Sequence, residues 1–168
     1  MRAQTCFAMT ARAPLIDSDP LPPVAQSLPV RLMRARESLM ARLRPVLRSH
    51  GVTEQQWRVL CTVRDLGQTE ITALAGQVFL LPPSLSRILR DLEARGLMRR
   101  QGSLQDQRRA LVSVTPAGEE LIRRVEPSLL EVRLEMRRLF GSARLSALGD
   151  LLDQLEACLG APEGLGED

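Results

Sequence analysis

The sequence has no lysine and no tyrosine, one histidine, one tryptophan and three cysteines. Each scarcity removes a class of protein. With His50 the lone histidine, and no Cys–His, Ser–His or paired-carboxylate constellation, nothing supports nucleophilic or acid–base catalysis, so an enzyme is not expected. Cys6, Cys61 and Cys158 are odd in number, far apart and without a CxxC pair. That spacing argues against a disulfide framework or a zinc site, indicates no cofactor, and points to a reducing, cytoplasmic compartment. Aromatics make up only 2% of the chain, so its core must be aliphatic, which favours packed helices over a β-sandwich. No run of about 18 apolar residues exists to span a membrane, and Arg2 and Arg12 precede no signal-like apolar segment. That all 23 basic residues are arginine fits GC-rich codon usage equally well and carries no functional weight.

What the chain does have is a concentration of positive charge. Residues 82–118 read PPSLSRILRDLEARGLMRRQGSLQDQRRALVSVTPAG, with seven arginines against three acids. This stretch carries a net +4, against +3 for all 168 residues. Positive charge so localised is the footprint of a surface built for phosphates. The pI of about 9.3 agrees but does not establish it.

In chain order, residues 1–26 carry four prolines and no periodicity, and read as a disordered tail or extended arm. Ser27 opens a helix to about His50, with Leu28, Leu32, Ala35, Leu39, Leu43, Val46 and Leu47 on one stripe. Pro45 is expected to bend or interrupt its end, and Gly51 to close it. Thr53 and Gln56 form a capping box for a helix of about 54–66. Thr69 then caps a short helix, Glu70 to about Val78, and a helix from about Pro83 to Arg95 follows. These two, the second basic on its exposed face, form a helix-turn-helix. Two short strands, Leu97–Gln101 and Ala110–Val114, flank a polar loop and make a hairpin. Thr115 caps a long helix of about 117–139, which Pro127 is placed to kink, and a last helix of about 143–159 buries Leu145, Leu148, Leu152 and Leu155. The tail 161–168 is expected to fray.

This order resembles the MarR family of winged-helix transcription regulators. Asp106-Gln107-Arg108-Arg109, followed by Leu111-Val112-Ser113-Val114-Thr115-Pro116-Ala117-Gly118, matches the family's wing, with Val114 in place of the usual leucine. Thr53–Leu60, Ala35-Arg36-Glu37 and Pro83-Ser84 are similar to regulators of homoprotocatechuate (hydroxyphenylacetate) degradation operons. The resemblance covers about residues 27–160. It implies a mainly α fold with a β-hairpin wing: a winged helix-turn-helix over 51–116, and dimerisation helices over 27–50 and 117–160. It also implies a homodimer on a pseudo-palindromic double-stranded operator, with a recognition helix in each major groove and a wing near each minor groove. Apolar stripes on the first and last helices, larger than one small lobe can cover, agree with a partner.

Ser84, Ser86, Arg87 and Arg90 lie on the exposed face of the basic helix. Arginine there can fork onto guanine, and serine can reach phosphate or base edges. The alternative is a solvated face closed by Arg90–Glu93 or Arg87–Asp91 pairs. At the hairpin tip Arg108 and Arg109 suit a narrow minor groove. The resemblance implies that Asp106 orients the wing and that Arg108 touches DNA; an ordinary charged turn is the alternative. Arg99 and Arg100 are assigned to the DNA backbone or to solvent. Arg36, with Leu32, Met33, Leu39 and Met40 as helical neighbours, needs an anion. Either an acidic residue of a second subunit supplies it, or the carboxylate of a small aromatic effector does. The resemblance places such an effector between the dimer helices and the DNA-binding lobe, with Trp57, Gln56, Arg31 and His50 as further contacts.

The leading function is therefore a repressor of an aromatic-acid catabolic operon, released by a small phenolic carboxylate. A redox-responsive regulator of the same fold is the second reading. The first long helix has no cysteine, and Cys61 reads as inert core, so only Cys6 in the tail keeps it open. A protein–protein adaptor reusing the winged helix is the third; it predicts no salt-dependent DNA binding.

Overall fold

The computed structural model describes residues 23–102 and 110–160, so the expected tails are covered only at residues 23–26, and the tip of the hairpin lies outside it. The chain divides into two units, one ending at Ser38 and one beginning at Leu39. In the first, Val24–Gln26 forms a 3₁₀ turn rather than an irregular tail. The Ser27 hydroxyl donates back to the Val24 carbonyl at 2.7 Å, so it serves that turn. Helix α1 (Leu28–Ser49) follows. It runs through Pro45 unbroken. The acceptor that proline leaves without a donor is the carbonyl of Ala41, an exposed residue that water can reach.

The second unit builds a helix-turn-helix on a small sheet. Gly51 turns the chain with φ 72°, a left-handed value that suits glycine. Both halves of the capping box then form: Gln56 N–H donates to Thr53 Oγ1 at 3.2 Å, and Thr53 N–H to Gln56 Oε1 at 2.8 Å. Helix α2 (Glu54–Leu66) buries Val59, Leu60 and Val63. After Gly67 the expectation fails locally. Thr69 does not cap a helix; Thr69–Glu70 is a strand, β1, and the cap of α3 (Ile71–Val78) is Glu70, without a side-chain bond. β1 pairs antiparallel with Leu111–Val114, with Thr69 opposite Val112. A long-range ladder thus overrides a local capping signal, and β-branched threonine suits either role.

Helix α4 (Pro82–Ala94) comes next, then β2 (Met98–Gln101) and β3 (Leu111–Val114). The expected hairpin is therefore part of a three-stranded sheet in the order β1-β3-β2. Register runs from Met98 opposite Val114 to Gln101 opposite Leu111. Thr115 caps α5 (Pro116–Phe140) by accepting from Gly118 N–H at 3.2 Å, and Pro127 lies inside this helix. Gly118 admits no side chain: a Cβ there would lie 2.2 Å from the Leu97 carbonyl oxygen.

The core is aliphatic, as the composition requires. Leu47, Leu60, Leu74, Leu85, Leu89, Leu92 and Ile122 are its largest fully buried side chains, and Trp57 packs half-buried against it. The Arg64 guanidinium bonds Glu126 Oε1 and ties α2 to α5. Helix α6 (Ser142–Leu159) departs from expectation. None of its residues is buried, and Leu148 and Leu152 are 43% and 41% exposed. Leu145 and Leu155 of the expected stripe are half-buried, and the described residues leave Leu148 and Leu152 open. The distal half of α5 is similar, with Leu130, Leu134, Leu139 and Phe140 exposed.

Candidate nucleic-acid interface

Helix α4 displays one face to solvent and one to the core, as its periodicity dictates. Leu85, Ile88, Leu89 and Leu92 are buried. Ser86, Arg87 and Arg90 are exposed, and Ser84 is half-buried at the rim. Helical spacing puts Pro82, Ser86 and Arg90 in one row and Pro83 and Arg87 in the next. Neither pair offered by the solvated-face reading forms. Asp91 Oδ2 instead accepts from Gln56 Nε2 at 2.7 Å and faces Arg95 at 3.5 Å, while Glu93 faces Arg100 at 3.4 Å. Among the described residues, Arg87 and Arg90 make no ion pair, and Arg90 bonds only the Ser86 carbonyl, at 3.3 Å. Two uncompensated guanidiniums thus remain on the outward face, where phosphate or guanine can reach them.

Arg95 has a role that the sequence did not suggest. One guanidinium nitrogen donates to the Gly51 carbonyl at 2.9 Å while another faces Asp91. The chain Thr53–Gln56–Asp91–Arg95–Gly51 therefore closes a ring between the α1–α2 turn and the end of α4. The i, i+4 spacing of Asp91 and Arg95 was visible; their reach to residues 35 and 44 positions away was not. Arg58 acts similarly, joining Glu54 at 3.2 Å and the Val78 carbonyl at 3.0 Å, and so holds α3 under α2.

On the sheet, Arg99 Nε donates to Ser113 Oγ at 2.9 Å, so Arg99 and Arg100 both have partners within the protein. Asp106, Arg108 and Arg109 lie outside the described residues. The residues assigned to an effector are spread over both units. Arg31, in the first, donates to the Gln26 carbonyl at 2.8 Å. Arg36 is exposed on α1, as are Leu32 and Met33, so the single chain does not desolvate it. In the second unit, Gln56 has both ends of its amide engaged, and Trp57 and His50 are half-buried. Burial pushes the Cys61 thiol up to about 12, which makes it a poor nucleophile.

The fold so described, a basic helix-turn-helix against a three-stranded sheet between long helices, has a counterpart in sequence. Residues 52–110 match the model of the MarR family. The chain is 35% identical over 129 residues to the HTH-type transcriptional regulator FarR of Neisseria gonorrhoeae, covering 77% of this chain and 88% of that protein. This chain belongs to the MarR family. It is also 32% identical over 131 residues to the homoprotocatechuate degradative operon repressor of Escherichia coli, covering 78% of this chain and 88% of the repressor. Among solved structures, NadR in complex with 4-hydroxyphenylacetate is 34% identical with a TM-score of 0.69, over 82% of this chain and 97% of that one. The MarR-family chain is accordingly a winged-helix transcriptional regulator and not an enzyme, and its relatives include the homoprotocatechuate branch. Among its described residues no helix is long and apolar enough to cross a membrane.

Proposed function

We propose that this regulator is a cytoplasmic homodimer that represses an aromatic-acid catabolic operon and leaves its operator when a small phenolic carboxylate binds. One observation carries the DNA reading. Among the described residues, the exposed face of α4 keeps Arg87 and Arg90 free of carboxylates, although Asp91 and Glu93 lie within the same helix. Ser84, Ser86, Arg87 and Arg90 then face a major groove, and Arg108 and Arg109, with Asp106 beside them in sequence, supply the wing. Leu148 and Leu152 of α6, with Leu134 and Phe140 of α5, are the apolar surface a second subunit would cover, and two recognition helices suit a pseudo-palindrome.

The effector class follows from the relatives, one a homoprotocatechuate operon repressor and one bound to 4-hydroxyphenylacetate. Arg36 is the proposed anion partner of that carboxylate. Release requires that the acid favour a dimer geometry whose recognition helices miss adjacent grooves. The test is fluorescence anisotropy on the intergenic DNA upstream of the gene, across a salt series, with and without 4-hydroxyphenylacetate. Binding that weakens steeply with salt and is released by the acid is expected. Salt-sensitive binding indifferent to aromatic acids would sink the effector half, and no binding at any salt would sink the DNA half.

A further inference from the structure

The start of α4 has a chemistry distinct from the arginines behind it. Leu81, the residue before the helix, is 56% exposed, and Pro82 and Pro83 after it are exposed as well. Leu80 on one side and Leu85 on the other are buried; the next exposed apolar side chain is Phe79, 53% exposed, in the turn before Leu80. A helix start normally offers several free N–H groups to a phosphate. Here prolines occupy the first two positions, and the Leu85 N–H is already bonded to the Leu81 carbonyl at 3.0 Å. Of the first three helical positions, only Ser84 then offers a backbone N–H. The tip is therefore a poor phosphate ligand and a good apolar one. It is also continuous with the polar face, since Pro82 heads the row of Ser86 and Arg90, and Pro83 that of Arg87.

In a major groove only one base edge is apolar, the C5-methyl of thymine. We infer that Leu81, Pro82 and Pro83 form a thymine-reading tip, which packs against C5-methyl groups in each half-site while Arg87 and Arg90 hold guanine or phosphate. This rests on the DNA reading above and adds to it a base preference that the arginines cannot supply.

The experiment uses the full-length protein and a duplex that it selects from a random-sequence library. Each thymine of that duplex is replaced in turn by deoxyuridine, which deletes the methyl group and leaves the hydrogen-bonding edge intact. At one or more thymines per half-site, affinity should fall about fourfold, the loss expected for a methyl group returned to water. The triple variant Leu81→Ser/Pro82→Ala/Pro83→Ala should bind the thymine and deoxyuridine duplexes within about twofold of each other, with an unchanged salt dependence. Serine is a favoured helix cap, so this variant should keep its helix, which circular dichroism verifies. If no deoxyuridine lowers affinity, or if the triple variant keeps the full penalty, the thymine-reading tip is wrong and the DNA reading stands. If the protein selects no sequence at all, the DNA reading fails and this inference fails with it.

Discussion

The guanidinium of Arg95 donates to the backbone carbonyl of Gly51 at 2.9 Å, which fastens the end of α4 to the turn between α1 and α2. Because Asp91 holds the same guanidinium and also binds Gln56, the bond belongs to a ring rather than a lone surface contact. Arg95→Ala should lower stability by about 1 kcal/mol, the usual net worth of such a hydrogen bond. A thermal midpoint about 3 °C lower is the expected reading. An unchanged midpoint would show that the ring is solvated in solution.

Gly118→Ala should cost more. The added Cβ meets the Leu97 carbonyl oxygen at 2.2 Å and Val114 Cγ1 at 2.6 Å, and the nearer obstacle is backbone, which yields little. A loss of roughly 2–3 kcal/mol is expected by analogy with overpacked cores. Urea unfolding measures it. A variant as stable as the parent would mean that the Leu97 backbone and α5 can part without cost.

Arg87→Ala and Arg90→Ala should act on binding and not on folding. Among the described residues neither guanidinium has a carboxylate partner, so the thermal midpoint should move by no more than about 1 °C. Affinity for the operator should fall about tenfold or more for whichever reads a base. For one that neutralises a phosphate, the slope of log affinity against log salt should drop by about one. Two variants that bind like the parent would remove α4 from the interface.

Cys61 supplies a pH and reactivity prediction. Burial raises its thiol from 9.0 to about 12, so the folded chain keeps a proton that the unfolded chain releases. Its contribution to stability is complete below about pH 9 and is lost as pH climbs toward 12. A Cys61→Ala variant should therefore lose less stability than the parent between those limits. At pH 8 a thiol reagent should label exposed Cys158 about a hundredfold faster than Cys61 in the folded protein. Equal rates would revive the redox-responsive reading.

The exposed stripe of α6 predicts assembly. Leu148→Asp with Leu152→Asp removes apolar surface that the single chain leaves open, so the helical content of the lobe should survive. Sedimentation should show a dimer for the parent and a monomer for the variant, with loss of specific operator binding. A variant that remains dimeric would place the interface elsewhere.

Much of this was legible in the sequence because it is local. The capping box at Thr53 and Gln56, the glycine after α1, the buried stripe of α4 and the cap at Thr115 each depend on residues within a turn of one another. Thr69 shows where such reading stops. Its sequence neighbourhood favours a helix cap, and its partner, Val112, lies more than forty positions away. Nothing near Gln56 in sequence announces Asp91 as the acceptor of its amide.

Taken by itself, the sequence determined the helix order, the aliphatic core, the concentration of arginine between residues 82 and 118, and through its wing motif the family. Periodicity, caps and composition act over short distances, and the chain carries them wherever it goes. Only the tertiary structure decided which of the five described arginines there are free of carboxylates. Arg95, Arg99 and Arg100 turn to partners brought close by folding, and Arg87 and Arg90 do not. It alone also decided that Leu148 and Leu152 of α6 stay exposed, because burial depends on what packs opposite, and none of the described residues covers them.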